Sequence, residues 1–107
     1  MGDFDRGDMF RLLVEMDGGR ILRQFEMTEQ SYTLGRGKDC NFVFDTPKVS
    51  RHHATIRRNS ADVYVVTDNG SRNGLFVNGD KVNSHSLHHG DIINISRRVS
   101  LLYIESG

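Results

Sequence analysis

Tryptophan is absent from this 107-residue sequence, and proline and cysteine occur once each. The lone Cys40 has no partner for an internal disulfide, so the fold must hold without one, and a reducing compartment suits it best. Its place just before an apolar strand, with no partner base in the sequence, marks it as a small hydrophobic filler. Net charge is also missing, because 14 Lys and Arg are matched by 14 Asp and Glu. Nucleic-acid-binding domains usually carry a basic face or a basic pI, so this balance argues against that class. Three tyrosines without tryptophan also make a poor stacking platform for bases. A local anion site stays compatible, since a few clustered cations can coexist with a neutral total. No apolar run approaches the ~20 residues that span a bilayer, so no membrane partner is expected. The opening MGDFDRGDMF lacks the apolar stretch of a secretory signal. No segment shows a helical stripe with caps.

What is present is a series of short alternating segments separated by Gly, Asn, Asp and Ser, the pattern of a sandwich or barrel. Phe10, Leu12, Val14 and Met16 share one parity. Asp17-Gly18-Gly19 follows as a turn that tolerates positive φ. Ile21, Arg23, Phe25 and Met27 suggest the return strand of a hairpin. Further strands are expected at Tyr32 and Leu34, at Phe42 and Phe44, and at Ala54 and Ile56. After a turn over Asn59 to Asp62, the apolar run Val63 to Val66 reads as a central strand. Leu75 to Val77 ends at the turn Asn78-Gly79-Asp80. Ile92, Ile93 and Ile95, then Leu101 to Ile104, close the domain. Residues 1–8 read as a loose tail, and 9–106 as one domain, a length that allows one hydrophobic core but not two.

Three loop segments concentrate groups suited to phosphate. In Leu34-Gly35-Arg36-Gly37-Lys38 an arginine sits between glycines at a strand end. Glycine allows close backbone approach, and the guanidinium fork matches a phosphate. Ser50-Arg51-His52-His53 offers a hydroxyl and a second arginine at a strand entry. Asn69-Gly70-Ser71-Arg72-Asn73-Gly74 adds amides, a hydroxyl and a third cation. Each segment alone is an ordinary polar turn, and one exposed ion pair is worth only ~0–1 kcal/mol. Hydrogen bonds to a charged group are worth ~1.5–3 kcal/mol each. Several on one phosphate therefore reach the roughly −8 kcal/mol of micromolar binding.

In this order and spacing, with Asn78-Gly79 shortly after, the segments resemble the motifs of forkhead-associated (FHA) domains over about Phe10 to Ile104. The resemblance implies an all-β sandwich of two mostly antiparallel sheets, about eleven strands, with recognition loops at one end. It implies a phosphothreonine-dependent interaction module with no catalytic activity and no cofactor. Arg36 and Ser50 would contact the phosphate, and Arg51 stands where the family contributes a further ligand. Arg72 and Asn73 fall where the family holds the peptide backbone and encloses the phosphothreonine γ-methyl. Gly35, His53, Gly74 and Asn78 would be structural, with His53 bracing the Ser50 loop. Lys48 and Ser71 would tune specificity, Lys48 by reading an acidic residue that follows the phosphothreonine. Leu75 departs from the Thr that often follows the third loop, and Arg72 is bulkier than the small hydroxyl residue of some members.

The implied partner is a phosphothreonine-containing protein, downstream of a Ser/Thr kinase, met by one domain of a longer protein in the cytoplasm, or in the nucleus of a eukaryote. Residues 1–27 hold no Ser or Thr and cannot supply the ligand themselves. A phosphate-independent interaction or dimerisation domain is the alternative, favoured if apolar residues outside the core parity are exposed. Histidines at 52, 53, 85, 88 and 89 lack any HExxH or Cys-pair spacing, so no metal is expected. A Ser50–His53 nucleophile pair has neither an elbow motif nor an orienting acid.

Overall fold

The computed structural model describes residues 10–106, and these form strands and no helix. The expected tail over 1–8, and the first residue assigned to the domain, lie outside the described residues. Eleven strands follow in sequence order: β1 (Phe10–Asp17), β2 (Arg20–Glu26), β3 (Ser31–Gly35), β4 (Phe42–Val43), β5 (Ala54–Arg58), β6 (Tyr64–Asp68), β7 (Leu75–Val77), β8 (Asp80–Lys81), β9 (Ser84–Ser86), β10 (Ile92–Ile95) and β11 (Val99–Ser106). One sheet runs β2-β1-β11-β10-β7-β8 and the other β4-β3-β5-β6-β9. Only the β3–β4 pair is parallel. The expected sandwich of two mostly antiparallel sheets is therefore found.

The hairpin signal at Asp17 holds because Gly18 and Gly19 take φ of 56° and 89°. Two successive positive φ values match the right-handed strand twist and favour glycine. Between the sheets, Leu13, Leu75, Ile93, Ile95, Leu101 and Tyr103 meet Leu34, Ile56, Tyr64 and Val66 in one core. The run at Val63 is a central strand, since β6 pairs with β5 on one side and β9 on the other.

The face of β1 differs from its apolar parity. Leu13 pairs with the core residue Tyr103, so Arg11 and Leu13 turn inward while Phe10 stays 47% exposed. Arg11 is tolerated inside because its guanidinium donates to the Asp62 carbonyl at 2.8 Å and lies 5.1 Å from the centre of the Tyr64 ring. Leu12 and Val14 instead pair with Ile104 and Leu102 on the outer side of the sheet. β8 and β9 carry no apolar alternation, and β4 is shorter than the Phe42–Phe44 signal implied, although both rings are buried.

Register fixes where the loops go. Leu34 at the end of β3 faces Ala54 at the start of β5, which faces Asp68 at the end of β6. Leu75 at the start of β7 faces Ile95 at the end of β10, which faces Val99 at the start of β11. The segments after β3, before β5, between β6 and β7, and between β10 and β11 therefore emerge together at one end.

Candidate functional site

Backbone bonds first set the loop geometry. The Arg36 and Gly37 N–H groups donate to the Ser50 and Arg51 carbonyls, each at 3.0 Å, and the His53 N–H donates to Leu34 at 2.8 Å. The first two loops are thereby zipped side by side. Gly35 is required at this seam, because a Cβ there would fall on the Arg51 carbonyl oxygen and 2.9 Å from that of Ser50.

His53 is fully buried and joins three segments of the fold. Its Nδ1 accepts the Ser50 backbone N–H at 3.0 Å, so that nitrogen carries no proton, and the proton on Nε2 donates to the Gly74 carbonyl at 2.7 Å. Its own carbonyl accepts the Asn69 N–H at 3.0 Å. With both ring nitrogens engaged, His53 has no lone pair for the Ser50 hydroxyl, and a nucleophile pair is not formed. Ser50 Oγ instead accepts the Arg72 backbone N–H at 3.0 Å, which leaves its own O–H free to donate.

The third loop is tied down by its own polar groups. Ser71 Oγ accepts the Gly74 N–H at 3.0 Å, and Asp68 accepts the Ser71 N–H at 3.2 Å. The Asn73 amide donates to the Lys48 carbonyl at 2.7 Å, joining the second and third loops. The Ser71 hydroxyl, expected to tune specificity, thus accepts a bond within its own loop and keeps its O–H to donate. Asn78 lies at the far end of β7, where its side chain donates to Asp91 at 3.0 Å and accepts the Ile92 N–H at 2.9 Å.

On this frame Arg36, Lys38, Arg51 and His52 line an open depression of about 600 Å³ together with Asp39 and Asp45. Asp39 bonds His52 at 2.8 Å, and that hydrogen bond holds its carboxyl below the ordinary value. Beside it, Lys48, Asn73, Ser96, Arg97 and Arg98 line a second depression of about 290 Å³. Arg97 and Arg98 were missed in the sequence, where two adjacent arginines in a polar turn were the available signal. Arg97 also lies 5.7 Å from the centre of the Phe76 ring. The arginines that reach a carboxylate, among the described residues, are Arg11, Arg20, Arg23 and Arg58. Among the described residues, Arg36, Lys38, Lys48, Arg51, Arg57, Arg72, Lys81, Arg97 and Arg98 have no such partner, and all but Arg57 and Lys81 lie on the loops of this end.

Cys40 behaves as the filler it resembled. Burial pushes its thiol up from the ordinary value, and Sγ donates to the Arg51 carbonyl at 3.2 Å.

The sequence profile of the FHA domain matches residues 32–96, more than half of the chain and all three loop segments. The chain belongs to the FHA domain family. The oxoglutarate dehydrogenase inhibitor of Corynebacterium jeikeium is 40% identical over 86 residues, covering 80% of this chain and 59% of that protein. This FHA chain thus spans less than two thirds of that relative's length. Among solved structures, one from a study of phosphothreonine-dependent FHA domain interactions superposes with a TM-score of 0.78 at 31% identity, covering 89% of this chain and 95% of the other. Mycobacterium tuberculosis EmbR in complex with a low-affinity phosphopeptide gives 0.80 at 29% identity, covering 92% of this chain and 25% of EmbR.

Proposed function

We propose that this FHA domain is a non-catalytic reader of phosphothreonine, binding an extended phosphopeptide across its loop tips. The observation that carries the reading is the set of cations without carboxylate partners at one end of the sandwich, on loops locked to one another through His53, Ser50 and Asn73. A phosphorylated side chain brings about −1.5 to −2 charge and three acceptor oxygens. Arg36 and Arg51 supply planar donors to it, and the free Ser50 O–H supplies a third donor. Arg72 and Asn73 hold the peptide backbone and the γ-methyl. Asn73 keeps its amide oxygen for a peptide N–H, because its NH2 is already engaged. Lys48 reads an acidic residue beyond the phosphothreonine, and Arg97 and Arg98 beside it strengthen that preference.

The partner is a protein phosphorylated by a Ser/Thr kinase, met in the cytoplasm by one domain of a longer regulatory protein. The partial coverage of the corynebacterial inhibitor supports that context.

Calorimetry with matched phosphothreonine, phosphoserine and unmodified peptides tests the reading. Phosphothreonine binds tightest and the unmodified peptide does not bind. Arg36→Ala lowers phosphopeptide affinity at least tenfold without shifting the melting temperature. Equal binding of all three peptides would reject the reading.

Self-association without phosphate is a second reading. It is favoured by Phe10 and Ile92, 47% and 45% exposed, beside the outer-face pairs Leu12–Ile104 and Val14–Leu102. Sedimentation equilibrium separates the two readings, since the peptide reader needs no dimer.

A further inference from the structure

We propose that His85, His88 and Asp91 form a binding site for a divalent transition-metal ion of the zinc type, at the end of the sandwich away from the phosphopeptide loops. His85 lies on β9, and the backbone then turns so that His88 and Asp91 come back beneath it before β10 begins. One ligating atom from each of the three residues lies within 4.8 Å of the other two. His85 Nε2 is 3.1 Å from Asp91 Oδ2, and His88 Nδ1 is 3.9 Å from that same oxygen.

The spacing matches what such an ion needs. Zinc holds imidazole nitrogens and carboxylate oxygens at about 2.0–2.2 Å, which puts tetrahedral ligand atoms ~3.3 Å apart. The two observed separations bracket that value. The adjustment falls on His88, whose side chain is 77% exposed and free to turn. Two imidazoles with one carboxylate form a donor set suited to zinc and its neighbours, which leaves one tetrahedral position for water.

The carboxylate is already held in position. The Asn78 amide donates to Asp91 Oδ1 at 3.0 Å, and the His88 backbone N–H donates to Oδ2 at 2.8 Å. Such outer partners orient metal ligands. The second lone pair of Oδ2 is the one directed at the histidines. Among the described residues no Lys or Arg reaches Asp91, so its ion-pair partners are two imidazoles.

Asp39, Cys40 and His52 make the competing cluster. It is the poorer site, because the Cys40 thiol is buried and already donates to the Arg51 carbonyl. A metal there would have to draw a buried thiol out of its hydrogen bond, whereas at the proposed site the ion takes the place of the His85–Asp91 hydrogen bond and the imidazole proton moves to the other ring nitrogen.

The test is titration of the full 107-residue protein with zinc chloride in a non-chelating buffer, followed by calorimetry and by the imidazole resonances of the five histidines. The expected result is one saturable site per molecule, with the His85 and His88 rings shifted. His88→Ala, an exposed change that spares the fold, lowers zinc affinity at least tenfold. It leaves phosphopeptide binding unchanged, so failure here is distinct from failure of the phosphopeptide reading. His89→Ala leaves zinc affinity unchanged, because His89 Nδ1 accepts the Glu105 N–H outside the cluster. The proposal is overturned if zinc does not bind saturably. It is equally overturned if His88→Ala binds zinc like the parent protein, or if affinity is lost with His52→Ala instead.

Discussion

Replacing His53 perturbs the frame of the recognition end without touching any surface a peptide could reach. The ring is fully buried and carries two hydrogen bonds, from Ser50 N–H to Nδ1 and from Nε2–H to the Gly74 carbonyl. His53→Phe keeps a ring in the space and deletes both bonds. A buried donor and a buried acceptor are then left without partners, each at about 1–3 kcal/mol. The expected loss is therefore about 2–6 kcal/mol, a large part of the ~5–15 kcal/mol that holds a domain of this kind together. His53→Ala removes the same bonds and leaves a cavity as well. If water enters that cavity and serves both groups, Ala becomes the milder change. Urea denaturation measures both variants, with unfolding followed by tyrosine fluorescence or circular dichroism. Below the unfolding midpoint, both variants also bind phosphopeptide at least tenfold more weakly, because the Ser50 and Gly74 loops lose their common anchor. Losses under ~1 kcal/mol in both variants would mean that the buried ring does not carry the bonds described, and would refute the reasoning.

Gly35→Ala sets a Cβ against the Arg51 and Ser50 carbonyls, so about 1–3 kcal/mol of destabilisation is expected, read from the urea midpoint, and an unchanged midpoint would contradict the seam. Cys40 resists alkylation more than a free cysteine, and its rate rises only above the ordinary thiol value of about 8.5. The sign follows from the raised folded value: the stability that the protonated thiol contributes is complete below the ordinary value and is lost as pH rises through the folded one. Iodoacetamide labelling against pH checks this, and labelling as fast as a free cysteine would count against burial of the thiol.

Much of the fold could be read from the residues because its strong signals are local. Asp17-Gly18-Gly19 dictates a hairpin through backbone freedom alone, and alternation at Ala54 to Ile56 survives because one face of β5 meets the core. β8 and β9 could not be read this way. Asp80–Lys81 and Ser84–Ser86 have no apolar face, and they become strands only because β7 and β6 offer them a hydrogen-bonding edge. The inward face of β1 was misleading for a related reason. The side of that strand with Phe10, Leu12, Val14 and Met16 is the apolar one, yet register against Tyr103, not composition, turns Arg11 and Leu13 to the core.

The candidate site was legible in its residue types but not in its wiring. Arginines flanked by Gly, Ser and Asn mark Arg36, Arg51 and Arg72. That Ser71 closes its own loop, or that Asn73 holds Lys48, depends on loop conformations no spacing rule encodes. Arg97 and Arg98 join the site only because β10 and β11 turn at the same end as the other loops. The gathering of His85, His88 and Asp91 has the same origin, since adjacent histidines on a strand diverge while a turn can bring distant ones together.

Titrating the isotope-labelled domain with a phosphothreonine peptide, one amide resonance at a time, tests the central reading most directly. The account predicts saturable shifts concentrated at Arg36, Ser50, Arg51, Arg72 and Asn73, with little change at Asn78 and Asp91, and none with the unphosphorylated peptide. Shifts that avoid those five residues, or that appear equally without the phosphate, would contradict it.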